Sequence, residues 1–312
     1  MEYVTLKNTD LKVSRFCMGG CPMGGYDWGD THEENFIDAI HTALDNGVNY
    51  FDTADTYGLG QSEKTLAKGL GSRRKEVIVQ SKFGVKAGHG ETVIDNSPVY
   101  IREALENTLS RLNTDYIDIY VVHYWDKVTP VDDIMEELQK QRDAGKIRYF
   151  GISNIRPKRM PAWAPYRGKF TTGQYEFSLA CRDREPEIDL ARETLDITPL
   201  TWGSLGQGFL TGKYDENTVF ADNDRRRRDV YVNFHGEKLK HNLESVKVLR
   251  TVAENHNKSC AATAIRFILD YLKDSVVIAG VKNSKQLLGN LESMGWKLDQ
   301  SEIETLDNVS RG

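Results

Sequence analysis

The chain has 312 residues, 39% hydrophobic and 28% charged, with a formal net charge of −5. This is the composition of a soluble globular protein with a large core; it offers no electrostatic basis for nucleic-acid binding, and no apolar run approaches the roughly 18 residues of a membrane span. Cys17, Cys21, Cys181 and Cys260 have neither CxxC spacing nor a histidine cluster, so free thiols are expected and no metal site. No charged-then-apolar leader opens MEYVTLKNTD, and a cytoplasmic location is expected.

In chain order, residues 3–6 and 13–16 flank the turn-forming Asn8-Thr9-Asp10 and predict a small hairpin, suited to plugging one mouth of a barrel. An apolar strand at 17–20 leads into a glycine-rich loop carrying Met23, Tyr26, Asp27 and Trp28. A helix at 33–46 follows, closed by Asn46-Gly47. Further strands are expected at 48–52, 77–81, 117–122, 147–152, 170–174, 197–201 and 276–279. Helices are expected between them at 62–70, 98–112, 131–144, 157–166, 186–195, 237–256 and 260–272. Near-continuous apolar strands alternating with helices predict a parallel sheet, and eight of them predict closure into an α/β (β/α)8 TIM barrel. With its N-terminal hairpin and extra helices, one domain would span residues 1–312. The polar segment 215–234 is too long for an ordinary connection and is either functional or disordered. Its basic run, Arg225 to Arg228, lies beside Asp222, Asp224 and Asp229 and reads as a solvated loop.

Three successive strands end in ionisable groups: Asp52, with Tyr57 in the following loop, then Lys82, then His123. Each alone has an ordinary reading, as a helix cap, a loop aromatic, a snorkelling lysine and a satisfied strand-end histidine. Together, at the C-terminal ends of parallel barrel strands, they would converge on one site.

With FDTADTYG, SKFG, VVHYWD, GISN, QYEFS and ITPLTWGSLGQGFLTGKY in this order, the chain resembles the aldo-keto reductase family over nearly its whole length. The resemblance implies NAD(P)H-dependent reduction of an aldehyde, ketone or sugar carbonyl by hydride transfer. The family's tetrad maps onto Asp52, Tyr57, Lys82 and His123. Tyr57 would be the general acid, its phenol tuned below about 10 by Lys82. Asp52 would hold Lys82, and His123 would orient the substrate oxygen.

The resemblance also implies cofactor contacts. Ser153, Asn154 and Gln174 would meet the nicotinamide carboxamide and Trp202 its ring face. Gly203, Ser204 and Leu205 stand where the family often has Ser-Pro-Leu. Gly280, Lys282, Asn283, Gln286 and Asn290 fall at the adenosine 2′-phosphate site, although Gly289 replaces a glutamate of some relatives. The single Lys282 favours NADPH over NADH, and no GxGxxG supports a Rossmann unit. Segment 215–234 would fold over bound cofactor. Trp28, Tyr124 and Trp125, with Met23 and Tyr26, would line a substrate pocket suited to a sugar or an aromatic aldehyde, or would simply pack together. Two alternatives carry different chemistry: a redox-sensing, cofactor-binding regulatory subunit with little turnover, and a lyase forming a Schiff base at Lys82.

Overall fold

The computed structural model describes all residues except 26, 89, 90 and 312. An antiparallel hairpin of β1 (Tyr3–Thr5) and β2 (Lys12–Ser14) precedes β3 (Phe16–Gly19), β4 (Tyr50–Asp52) and β5 (Ile78–Phe83). A second hairpin, β6 (Val85–Gly88) with β7 (Glu91–Ile94), comes next. The remaining strands are β8 (Ile117–Val122), β9 (Ile147–Ser153), β10 (Phe170–Glu176), β11 (Thr198–Trp202) and β12 (Val276–Gly280). From β3 to β5 and β8 to β12, eight strands pair in parallel in chain order, and β12 returns to β3 to close the barrel.

Helices cover it: α1 (Glu33–Asp45), α2 (Gln61–Leu70), α3 (Pro98–Leu112), α4 (Val131–Asp143), α5 (Glu185–Leu195), α6 (Gly236–Asn255), α7 (Cys260–Tyr271), α8 (Ser284–Leu291) and α9 (Gln300–Ser310). Local sequence sets several boundaries. Pro98 opens α3 behind a Ser97 side chain that accepts from the Tyr100 amide at 3.3 Å, and α1 stops at Asn46 before Gly47 with φ of 78°.

Side chains alternate across each strand with period two. Phe16, Met18, Phe51, Tyr120, Val122 and Val277 face the helices in one large cluster. Cys17, Tyr50, Ile119, Val121, Leu200, Val276 and Ile278 face inward and form a second cluster with Leu6, Leu11 and Val13 from the hairpin segment. The hairpin therefore closes the N-terminal mouth with apolar side chains. Two residues further along each strand, the same inward face meets the C-terminal mouth.

Three local expectations change. Residues 157–166 form two short 3-10 turns, Pro157–Ala162 and Ala164–Tyr166, because Pro161 and Pro165 lack the N–H that an α-helix needs. The β6–β7 hairpin was not expected between β5 and α3. The basic run is not uniformly solvated: Arg226 is 9% exposed, with Nε donating to Asp224 Oδ1 at 2.8 Å and Nη1 bonded to Tyr214.

Candidate active site

Inward alternation delivers the ionisable groups to one place. Tyr50 and Asp52 share a face of β4, and Ile78, Gln80 and Lys82 share a face of β5; Ile119 and Val121 point the way for His123 just past β8. Asp52 and Lys82 are 3% and 1% exposed, and Lys82 Nζ donates to Asp52 Oδ1 at 2.7 Å and to the Thr53 carbonyl at 2.8 Å. The other carboxylate oxygen of Asp52 accepts from Gln80 Nε2 at 2.7 Å and Gln174 Nε2 at 2.9 Å. A buried ion pair this well bonded is held in a single geometry, which is what positioning requires.

Lys82 Nζ lies 3.3 Å from Tyr57 Oη and 4.8 Å from the Tyr57 ring centre. The tyrosine's turn is pressed backbone to backbone on the 3-10 turn Cys21–Gly24: a Cβ on Gly24 would lie 2.6 Å from the Gly58 nitrogen. Glycine at 24 thus fixes how deeply Tyr57 enters the cleft. The His123 ring stands edge-on to Tyr57, with centroids 6.1 Å apart, and Tyr124 stacks on His123 at 5.0 Å.

The electrostatics correct one expectation. The Tyr57 phenol is pushed well above its ordinary range, by loss of water and then by the Asp52 carboxylate, and not lowered by Lys82. The ammonium's charge is already matched by Asp52, so desolvation prevails. His123 is shifted well below its ordinary range by burial and by Lys82, which keeps the imidazole neutral.

The later strands line the rest of the mouth. Ser153 Oγ donates to the Gln174 carbonyl at 3.2 Å; Asn154, at φ of 58°, donates to Ser153 Oγ at 2.8 Å and to the His123 carbonyl at 3.2 Å. Gln174 commits its amide nitrogen to Asp52, as above. Trp202 ends β11 with its indole Nε1 buried and without a partner among the described residues. Gly203 follows at φ of 65°, Ser204 turns its hydroxyl back to Thr201, and Leu205 packs on the core.

At the end of β12, Gly280 packs against Pro22, where a Cβ would come within 2.8 Å of the ring. Gln286 Oε1 accepts from the Lys282 amide at 2.9 Å, Asn283 Oδ1 accepts from the Gln286 amide at 2.9 Å, and Asn290 is buried in α8. Lys282 Nζ donates to the Trp28 carbonyl, and its pKa is lowered by burial and by Arg226, with Lys213 adding to the effect and Asp224 opposing it. Three cations thus share one region, only one of which the sequence reading singled out. Segment 215–234 lies over this region: the Gly29 amide donates to the Asn223 carbonyl, Arg225 stacks on Trp28 at 5.0 Å and Arg228 pairs with Asp27.

Of the expected substrate groups, Tyr124 is 37% exposed beside His123, whereas Trp125 packs edge-on against buried Trp163 and donates to the Thr129 carbonyl at 2.9 Å. Tyr26 lies outside the described residues. Sequence reasoning missed Gln80 and Glu176, although both sit two residues from a named site residue on the same inward face.

A dinucleotide fits this mouth. The buried indole nitrogen of Trp202 has no partner among the described residues, the loop after it carries glycines 203, 206 and 208 at positive φ, and Lys213, Arg226 and Lys282 form a donor set suited to phosphate.

The model of the aldo/keto reductase family matches residues 15–311. Aldo-keto reductase YhdN of Bacillus subtilis is 34% identical over 98% of this chain and 93% of its own length. Aldo-keto reductase yakc of Schizosaccharomyces pombe, designated for NADP(+), is 32% identical over 93% of this chain and 85% of its own. The structure of the glycerol dehydrogenase AKR11B4 from Gluconobacter oxydans superposes with a TM-score of 0.88 at 30% identity, covering 98% of this chain and 94% of that one. The chain therefore belongs to the aldo/keto reductase family and is an NAD(P)H-dependent oxidoreductase of small carbonyl compounds.

Proposed function

We propose that this single barrel domain, expected in the cytoplasm, reduces a small carbonyl compound, a sugar among the candidates, with NADPH preferred to NADH and Tyr57 as the general acid. The observation that carries the assignment is Lys82 Nζ, held 2.7 Å from Asp52 and 3.3 Å from Tyr57 Oη at the open end of the barrel.

Trp202, Ser153, Asn154 and Gln174 hold the nicotinamide end. The loop from Gly203 through Leu205 holds the middle. Gly280, Lys282, Gln286 and Asn290 hold the adenosine end, and Lys213 and Arg226 strengthen the case for a 2′-phosphate. Trp28 and Tyr124 border the substrate, with Trp125 behind them. Bound NADPH supplies a hydride to the carbonyl carbon.

As the carbonyl oxygen gains charge, Tyr57 gives it a proton. The raised phenol pKa means that this proton is present throughout the neutral range. Lys82 then stabilises the phenolate left behind, and Asp52 prevents the ammonium from drifting. Neutral His123 donates a hydrogen bond to the same oxygen and orients it without adding a charge that would compete with Lys82. The structural neighbour named a glycerol dehydrogenase supports a polyol or its carbonyl partner as the substrate type.

Tyr57→Phe tests the assignment. It should lower kcat by about 10²–10⁴-fold. NADPH affinity, read from quenching of protein fluorescence, should stay within a few-fold because the hydroxyl acts on substrate. A variant keeping more than roughly a tenth of kcat, with chemistry rate-limiting, removes Tyr57 from the role.

A further inference from the structure

Glu176 lies at the C-terminal end of β10, two residues beyond Gln174 on the same face. Gln174 reaches inward to Asp52, so Glu176 projects into the mouth about 6.6 Å further along the strand. Its register partner on β11 is Trp202. The next residue, Gly203, makes room for it: a Cβ there would lie 3.1 Å from Glu176 Cγ and 3.2 Å from Oε1.

The carboxylate is braced from behind. Gln207 Nε2 donates to Oε1 at 3.2 Å, Gln207 Oε1 accepts from Asn233 Nδ2 at 2.7 Å, and buried Asn242 donates to Asn233 Oδ1 at 3.1 Å. Gln207 adopts φ of 54° to make this connection, a left-handed backbone that costs a non-glycine residue energy. A loosely held surface glutamate needs no such support.

Among the described residues no lysine or arginine forms a salt bridge with Glu176; Arg156, the cation acting on it, donates its Nη1 to Glu187 at 2.8 Å. Burial raises the carboxyl pKa, with Gln207 and Arg156 opposing the rise. A desolvated carboxylate accepts hydrogen bonds and donates none, so a ligand beside it must bring a donor. It also disfavours a second carboxylate placed directly against it. Beyond the effect of burial, its charge raises the pKa of Tyr124, the ring stacked on His123.

We infer that Glu176 reads a hydroxyl group of the substrate, so that the enzyme selects hydroxylated carbonyl compounds over plain aldehydes and rejects carbonyl compounds bearing a carboxylate. The inference rests on the carbonyl-reductase reading above and narrows its substrate class. Bond formation and hydride transfer are unchanged by it; Glu176 acts on binding.

The test compares glyceraldehyde, propanal and succinic semialdehyde with NADPH and the full-length enzyme. Wild type should prefer glyceraldehyde to propanal. Glu176→Leu should lower that kcat/KM ratio roughly 10- to 100-fold, chiefly through KM for glyceraldehyde, which is the worth of a charged hydrogen bond. Glu176→Gln keeps an acceptor oxygen and should lose less of the ratio, but should gain about 5-fold or more on succinic semialdehyde because the repelling charge is gone. Equal losses on glyceraldehyde and propanal would mean that Glu176 only supports the Gln207 loop, and would overturn the inference. So would an unchanged rate on succinic semialdehyde. Turnover of none of the three by wild type is a different failure, which removes the carbonyl-reductase reading and the inference with it.

Discussion

The two ends of the barrel strands differ in chemistry by one or two steps of the same alternation. Inward residues at the N-terminal end are Cys17, Tyr50, Ile119, Leu200 and Val276, packed with Leu6, Leu11 and Val13. At the other end the inward face carries Asp52, Lys82, His123, Gln174, Glu176 and Trp202. The lower layer buries mainly apolar surface, at about 25 cal/mol per Å², and reaches the site above it through Tyr50, whose hydroxyl donates to Gln80 Oε1 at 2.7 Å. The upper layer uses that rigidity: charges held out of water act on one another far more strongly than solvated ones, but each needs a partner to be tolerated. Asp52 has three donors and Lys82 two acceptors besides Tyr57. One strand thus contributes stability at one end and reactivity at the other.

Substitutions at the two ends should separate these contributions. Lys82→Met should have the largest effect. It removes the group proposed to stabilise the phenolate, so activity should fall at least about 10²-fold. It also strands Asp52 without its counter-charge, a loss of about 3–5 kcal/mol that Gln80 and Gln174 soften. The double variant Asp52→Asn, Lys82→Met should recover much of the stability in urea unfolding and none of the activity. Recovery of both would mean that the pair is structural. At the other end, Leu200→Ala should cost about 2–5 kcal/mol while leaving kcat within a few-fold, since Trp202 and the strand's hydrogen bonds remain. A fall in kcat as large as that of Lys82→Met would show that the two layers are not separable.

This division explains what could be read from the sequence. Apolar strands and the ionisable groups that end them are local patterns, so β4, β5 and β8 and the positions of Asp52, Lys82 and His123 followed from residue order. The alternation that named Lys82 and Gln174 applies equally to Gln80 and Glu176, which were overlooked because neither belongs to a catalytic pattern. Three other features have no local signature. The β6–β7 hairpin lacks a continuous apolar run. Arg226 is buried only because Asp224, Tyr214 and the Gln207 carbonyl converge on it. The upward shift of the Tyr57 phenol depends on the depth of the cleft, which no spacing between residues reports.

A further variant probes the rim of the upper layer, where charges are partly solvated and each should count for less. Lys282→Ala should weaken NADPH by about 1.5–2 kcal/mol, roughly 10- to 30-fold, with Lys213 and Arg226 still available to the 2′-phosphate. NADH lacks that phosphate and serves as the control for the lost bond to the Trp28 carbonyl. The ratio of the two dissociation constants, at fixed ionic strength, is the measurement. Equal weakening of both cofactors would make Lys282 a support for the Trp28 loop.

The smallest effect concerns Asp55, which shows the cost of a carboxylate in the upper layer that does not secure the partner it needs. One of its oxygens is buried without a hydrogen bond from any described residue, and Arg111 donates to Glu63 instead. Burial and the Glu63 charge raise its pKa from 3.8 to about 7, against the pull of Arg111 and Lys82. Below 3.8 the group is protonated in both the folded and the unfolded chain, and pH has no leverage through it. Between 3.8 and about 7 the folded protein retains a proton that the unfolded chain has released, so stability falls as pH rises through this window. Above it both forms are ionised and the full penalty stands. Asp55→Asn carries no charge at any pH, so its melting temperature relative to wild type should climb between pH 5 and pH 8, by roughly 4 °C. Other titrating groups largely cancel in that difference. A constant offset across the range would show that Asp55 is ionised throughout and that Arg111 or Lys82 pairs with it after all.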